Sequence, residues 1–429
     1  MLPETYKRYV LGTLTCAYSL NLLDRGLIIL QLQSIKQDLH LSDTQLGFLT
    51  GIAFALFYAV LGVPIARWAD RGNRVTITSI AIAIWGLTVS LCLWVTNFAQ
   101  LVLARVAAGV GEAGCMPPTY SLLGDYFPGS TERTRAVSIY MLAGPLSSLL
   151  SFVVGGWLNE TLGWRATFFV MGLPALLVAA LVKWTIREPR AEAKPETALH
   201  AVPGVIEILK TLWQRRSSRH LVAGTVLLFT MGYGLGPWYA AFMMRSHQMH
   251  PAELGVWLGL IFGISGIAGI LMGGYLGGRR FAGNEPAQMR LSAITVAMLV
   301  PCFVMFLLAP GKYEALIVLM PLSVIFNFCL GPAFALLQRL VVDSARATTL
   351  AVVMLLTNLI GMGAGPQVVG ILSDAFAPIF GGDSLRYAML LMSLVAFWSA
   401  YHFWGVGHTV REDLMAVGEE NSHLALVAT

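Results

Sequence analysis

Four ionisable residues stand where the chain is otherwise apolar. Asp24 and Arg25 lie in YSLNLLDRGLIIL, residues 18–30, and Arg105 and Glu112 lie in RVAAGVGEAG, residues 105–114. Two acids and two guanidiniums can form ion pairs, and a carboxylate can exchange a guanidinium partner for a proton. Burial disfavours the ionised carboxylate, while an adjacent Arg favours it. A carboxylate whose Arg departs therefore takes up a proton in one arrangement and releases it in the other. A guanidinium is equally suited to grip a phosphate through two parallel donors. The residues alone leave both jobs open for Arg25 and Arg105. The plainest alternative is a fixed ion-pair cluster that only holds two helices together.

These charges need elements to carry them. The chain has 429 residues, 56% hydrophobic and only 12% charged, against roughly 25% charged in soluble domains. Apolar stretches of about 20 residues recur along its whole length, each long enough to cross a hydrocarbon core of about 30 Å as a helix. We read twelve spans, at 8–30, 44–66, 75–96, 99–125, 135–158, 165–186, 220–244, 253–277, 288–309, 313–337, 348–373 and 385–407. The expected organisation is a six-helix bundle over 1–187, a cytoplasmic linker over 188–219, a second bundle over 220–408 and a polar cytoplasmic tail over 409–429. Inside the linker, VIEILKTLW reads as a short amphipathic surface helix. The five cysteines show no paired spacing, so neither a disulfide framework nor a metal site is expected.

Lys and Arg orient the chain. With both termini inside, 21 of the 28 fall in inner loops and helix ends and five in outer loops, leaving Arg25 and Arg105 within the membrane. The net charge of +5 is explained by this bias, and no nucleic-acid partner is implied. A charge at the bilayer centre costs at least about 2.5–3.5 kcal/mol, so the four membrane charges should face the interior and pair. Depth supports this: Asp24 lies roughly 24 Å from the inner end of span 1, and Arg105 about 9 Å below the outer surface on span 4. In a crossing of about 33 Å the two depths agree. Glu112 is seven residues from Arg105, on the same face and closer to mid-membrane. Asp24 or Glu112 should pair with Arg105 or Arg25. The glycines around Glu112 would let a neighbouring backbone or a substrate approach.

The halves are related. LGFLTGIAFALFYAVLGVPIARWADR, from Leu46, aligns with LGVWLGLIFGISGIAGILMGGYLGGR, from Leu254; Pro118 and Gly156 have the same spacing as Pro332 and Gly370. Between spans 2 and 3, ARWADRGNR places Ala66, Asp70, Arg71 and Arg74 around a glycine turn. An acid here can cap a neighbouring helix and the arginines can pair with acids, latching the halves on the cytoplasmic side.

This loop resembles the signature of the major facilitator superfamily, with Asn73 where a second glycine is usual. That variant, together with Asn21-Leu22-Leu23-Asp24-Arg25 and the Arg105, Gly-x-Gly-Glu-Ala, Pro and Asp of residues 105–128, is similar to the Spinster branch. The resemblance implies an all-α membrane protein with two pseudo-symmetric six-helix halves that rock about a central site. It further implies transport of lysolipids or sphingoid lipids, with proton linkage in bacterial relatives.

The second half supplies no matching buried charges. Its polar and aromatic residues at membrane depth, Tyr233, Trp238, Phe242, Phe326, Asn327 and Asn358, are expected to wall a cavity for a lipid tail, with the head group toward Arg25 and Arg105. Asp24 and Glu112 are the expected proton carriers. No nucleophile–base set and no nucleotide-phosphate loop is present, so neither an enzyme nor ATP-driven pumping is expected, nor any cofactor beyond a coupling proton. The expectation is a monomeric proton-coupled carrier of an amphipathic small molecule, among membrane lipids, in a bacterial inner membrane. The alternative keeps the fold and changes the cargo to hydrophobic drugs or small organic anions.

Overall fold

The computed structural model describes residues 3–189, 205–276, 279, 281, 283–342 and 345–428, and among them every regular element is helical. The first are α1 (Glu4–Leu39), α2 (Asp43–Thr50), α3 (Ile52–Arg71), α4 (Arg74–Leu91), α5 (Phe98–Ala113), α6 (Met116–Tyr126), α7 (Ser130–Met141), α8 (Ala143–Leu149) and α9 (Gly155–Thr185). They are followed by α10 (Val205–Gln214), α11 (Arg216–Leu235), α12 (Trp238–His247), α13 (Pro251–Leu260), α14 (Gly266–Tyr275) and α15 (Glu285–Leu307). The last are α16 (Lys312–Phe328), α17 (Leu330–Arg339), α18 (Arg346–Leu356), α19 (Gly365–Phe380), α20 (Ser384–Ser393) and α21 (Val395–Ala428).

Eight helical stretches among the described residues are long and apolar enough to cross a membrane. Two of them, Arg135–Thr185 and Thr348–Glu420, have 51 and 73 residues, enough for two crossings each at 1.5 Å per residue. Both turn back at a glycine with positive φ, Gly163 at 79° and Gly381 at 55°, a conformation that side chains other than glycine resist. The broken pair α11 and α12 adds one span, and α1 adds another; its charges at Asp24 and Arg25 dilute its hydropathy. Twelve spans result.

Polar side chains start several of these helices. Ser42 and Gln45 form a reciprocal capping box on α2. Asn73, Asn97 and Asn284 cap α4, α5 and α15. Asn73 thus replaces a turn glycine with a residue that accepts from the Thr76 N–H at 2.8 Å.

Spans 2, 5, 8 and 11 are all interrupted. Span 2 breaks at Gly51 (φ −106°, ψ −96°), and the others carry π-helical turns at Leu150–Val154, Ile261–Ser265 and Thr357–Ala364. π-turns inside α-helices are uncommon and concentrate at functional regions. Spans 4 and 10 break at Cys115 and Cys329, which are separated by the same interval as Pro118 and Pro332. The repeat therefore extends to the helix interruptions.

Two compact units are present, Met1–Glu196 with Pro237–Gly263, and Thr197–Gly236 with Ile264–Thr429. They differ from the sequence halves at 237–263, which packs with the first unit. The chain crosses between units at Gly236-Pro237 and at the π-turn of span 8, both sites where the helical ladder is already interrupted. Inside the first unit, α13 meets the end of span 5 so closely that a Cβ on Gly255 would lie 2.2 Å from the Phe152 carbonyl oxygen.

The region 409–429, expected as a polar tail, continues α21 to Ala428. Val410 and Val417, two turns apart, are buried there, Asp413 accepts from the Ser217 N–H at 2.7 Å, and Glu420 pairs with Arg215 at 2.6 Å. The amphipathic helix expected in the linker is α10, with Ile208 and Leu212 buried. Linker residues 190–204 lie outside the described residues.

Candidate functional site

The site is built on α1, α3 and α5 of the first unit. Asp24 and Arg25 are consecutive on α1, so they leave the helix about 100° apart. Each meets a different residue of α5. Arg105 Nη1 donates to Asp24 Oδ2, and Arg105 Nε donates to the Leu49 carbonyl at 3.3 Å. Arg25 places Nη2 2.5 Å and Nε 2.6 Å from Glu112 Oε1. The expected meeting of spans 1 and 4 is present, resolved into two pairs rather than one shared cluster.

The pairs differ in exposure. The Asp24 and Arg105 side chains are 2% and 5% accessible, and Glu112 2%, whereas Arg25 is 33% accessible. The Asp24–Arg105 pair is sealed, and the Arg25–Glu112 pair has one edge open. Phe54 of α3 stands between them, with both guanidiniums over its ring at 5.6 Å for Arg25 and 5.1 Å for Arg105. Tyr58, one turn further along α3, receives Arg25 at 5.5 Å. A cation over an aromatic face is attracted by the ring quadrupole, so Phe54 and Tyr58 hold the arginines without neutralising them. Sequence reasoning passed over both; the only signal was their i,i+4 spacing in FALFY.

Buried polar atoms without partners mark the same region. Neither amide atom of Asn21 is hydrogen-bonded, nor is Glu112 Oε2. Asn21 precedes Asp24 by three residues on the same side of α1. Tyr140 stacks on Tyr18 of α1 with ring centroids 4.7 Å apart. Buried polar groups are nearly always satisfied, and unsatisfied ones beside a partly exposed guanidinium are available to a ligand or to a proton.

The glycines around Glu112 serve packing. A Cβ at Gly111 would lie 2.8 Å from the Ala81 oxygen and the Trp85 nitrogen, and one at Gly109 3.1 Å from the Phe54 oxygen. The close approach is by the backbones of α3 and α4, not by space left for substrate.

The expected latch is distributed differently. Arg74 is fully buried, paired with Glu188 at 2.5 Å and Asp125 at 2.6 Å, and it donates to Ser121 Oγ at 2.9 Å. Glu188 also accepts from the Arg74 backbone N–H at 2.6 Å, capping α4. All these partners belong to the first unit, so Arg74 ties the ends of spans 3, 4 and 6 together within it. Arg71 is exposed. The side chains of Ala66 and Asp70 lie outside the described residues.

A cluster not anticipated from sequence sits at the other end of the first unit. Asp43, buried at the start of α2, accepts from Arg245 Nη1 and Nη2 at 2.7 and 2.8 Å and from Lys36 Nζ at 2.6 Å. Arg245 also donates to Gln33 Oε1 at 2.7 Å. This clasp holds α12, from the second sequence half, onto α1 and α2. Trp238 and Phe242, on the same helix, are fully buried and do not face an open cavity. In the second unit, Tyr233, Phe326, Asn327 and Asn358 are half-buried. Phe326 and Tyr233 surround Phe229 with Phe334, at centroid distances of 5.9, 5.3 and 6.1 Å. Asn327 spends its amide on the Ser323 carbonyl, 2.9 Å away on its own helix. The aromatic cluster of the second unit is therefore Phe229, Tyr233, Phe326 and Phe334.

Comparison with known proteins agrees with this architecture. Residues 14–366 match the Major Facilitator Superfamily. An MFS-type efflux pump of Mycolicibacterium smegmatis is 32% identical, over 94% of this chain and 93% of that protein. A sphingosine-1-phosphate transporter of Danio rerio is 24% identical, over 90% of this chain and 81% of that protein. The crystal structure of a bacterial homolog of the human lysosomal transporter Spinster, in an inward-facing and unoccupied conformation, superimposes with a TM-score of 0.85 at 28% identity, covering 96% of this chain and 99% of that one. The chain belongs to the major facilitator superfamily. Within it, this is a Spinster-type, multi-pass membrane transporter, and not an enzyme.

Proposed function

We propose that the protein moves amphipathic lipids of the lysophospholipid or sphingoid type, coupled to protons, by rocking of its two halves. Glu112 carries the proton and Arg25 is its switching partner. Protonation of Glu112 frees Arg25, which then meets the anionic or polar head of the cargo; deprotonation recovers the pair. Asp24 and Arg105 hold the neighbouring charge fixed while this happens. The cargo's tail lies toward Phe229, Tyr233, Phe326 and Phe334. The observation that carries the reading is the open edge of the Arg25–Glu112 pair beside the sealed Asp24–Arg105 pair. The relative named as a sphingosine-1-phosphate transporter supports the lipid class. The relative named as an efflux pump supports a second reading, in which hydrophobic drugs are the cargo of the same machinery.

The test is flux in proteoliposomes with lysophospholipids, sphingoid phosphates and cationic dyes under an imposed pH gradient. Gradient-driven accumulation of a lipid that disappears in Glu112→Gln, while exchange without a gradient persists, is the expected result. Normal proton-dependent flux in the Asp24→Asn/Glu112→Gln double variant would overturn the coupling mechanism. Dye transport without lipid transport would favour the second reading.

A further inference from the structure

A second cationic site lies in the second unit. Asn284, Pro286, Ala287 and Arg290 at the start of α15 and Gly407, His408 and Arg411 on α21 line a surface cavity of about 360 Å³. Arg290 and Arg411 both border it, and among the described residues neither forms a hydrogen bond or an ion pair. Arg290 lies over the Trp404 ring at 5.9 Å, and its stem is pressed to α21 where Gly407 has no side chain: a Cβ there would lie 3.0 Å from Arg290 Cγ. Glu285, at the start of α15, is bonded to Arg339 at 2.6 Å and also feels Arg411. Asp413 is engaged at the Ser217 N–H, and Glu412 is exposed. Two guanidiniums and a histidine thus converge on one cavity at the positive end of the α15 dipole, with Glu285 and Asp413 already engaged elsewhere. Like charges so placed repel unless an anion sits between them.

The surfaces rising from the cavity say which anion. On α21, Arg411, His408, Trp404, Tyr401 and Phe397 follow one another at three- or four-residue steps, hence on one face. On α15, Arg290, Ile294 and Met298 do the same. Trp404, Tyr401, Phe397, Ile294 and Met298 are all exposed. Each strip is cationic at the foot and apolar above, and that of α21 has an indole and a phenol between, the order in which a phospholipid presents phosphate, glycerol and acyl chain. Basic pockets between spans on the cytoplasmic side hold acidic head groups, and aromatic side chains favour that depth.

We propose that this cavity binds the phosphate of an anionic phospholipid of the cytoplasmic leaflet, with its acyl chains along α15 and α21. The test uses purified full-length protein and native mass spectrometry, with phosphatidylglycerol, phosphatidylcholine and inorganic phosphate as probes. Wild type should retain phosphatidylglycerol over phosphatidylcholine, and Arg290→Gln/Arg411→Gln should weaken that retention about thirtyfold, from the worth of two basic residues at a membrane surface. Arg290→Lys/Arg411→Lys should keep most of it. Equal retention of both lipids by wild type would overturn the site, and displacement by millimolar inorganic phosphate as effective as by lipid would overturn its assignment to lipid. Should the Gln variant misfold, photoactivatable phosphatidylglycerol on wild type decides instead. Labelling concentrated on residues 290–298 and 397–411 supports the site, and labelling spread evenly around the helices overturns it.

Discussion

Asp24–Arg105 and Arg25–Glu112 are built from one helix pair and the same two kinds of charge, yet one is closed to solvent and the other has an exposed edge. Adjacent positions on α1 decide this. One side chain turns toward the packed face where α5 meets α3, and the next turns about 100° away. A pair without solvent contact cannot trade its partner without first opening the bundle. A pair with an accessible guanidinium can. The comparison teaches that residue types nominate ion pairs for a switch, while helix rotation assigns the moving one.

The largest expected effect comes from breaking the sealed pair. Arg105→Met leaves Asp24 buried without its cation and should cost about 3–5 kcal/mol of stability, read as a large fall in the thermal unfolding midpoint in detergent. Asp24→Leu/Arg105→Met, which removes both charges, should recover most of that loss. If the single variant melts like wild type, the pair is not structural and the contrast between the two pairs fails.

The clasp of Asp43 with Arg245 and Lys36 tests whether a buried carboxylate with two cations behaves like the sealed pair. Asp43→Asn removes charge-assisted hydrogen bonds worth about 1.5–3 kcal/mol each. It should raise amide hydrogen exchange across Trp238–His247, because those bonds hold α12 onto the first unit. Unchanged exchange in that segment would show that apolar burial of Trp238 and Phe242 suffices.

How much of this was legible in sequence follows from what periodicity can carry. Apolar runs, Lys and Arg counts and depth along each helix placed the twelve spans and brought spans 1 and 4 together at the right level. Depth fixes the height of a side chain but not helix rotation, so the partners of Asp24 and Glu112 stayed open. Phe54 escaped because an aromatic in a membrane helix is ordinary until two arginines lie over it. The Asp43 clasp escaped for a different reason: its members come from positions 36, 43 and 245, and no local pattern links them. Trp238 and Phe242 were misplaced because residues 220–244 were read as one span of the second bundle, whereas α12 packs with the first unit. The helical continuation of α21 hides in a polar stretch whose buried valines are sparse.

The open pair should respond in the opposite sense to the sealed one. Glu112→Gln leaves no unpaired buried charge, since Arg25 is partly solvated, so its stability cost should be well below that of Arg105→Met. Proton-driven flux should nevertheless fall at least tenfold and lose its pH dependence. A large drop in unfolding midpoint with flux retained would exchange the roles assigned to the two pairs.

The smallest effect calibrates the rest. Asn73 accepts from the Thr76 N–H and hydroxyl at 2.8 and 3.0 Å, beside the Arg74 network but without charge. Asn73→Ala removes the cap alone and should cost about 1 kcal/mol, with flux unchanged. Asn73→Gly, which restores the residue usual in the superfamily, should cost only a few tenths. A loss comparable to that of Arg105→Met would mean that the turn positions Arg74 against Glu188, and that the end of the first unit near residue 74 depends on the loop as heavily as its interior depends on the sealed pair. Thermal midpoints of the two Asn73 variants, measured beside Arg74→Met, separate these outcomes: a cap acts independently of Arg74 and its cost adds to that variant's loss, whereas a residue acting through Arg74 adds nothing once Arg74 is gone.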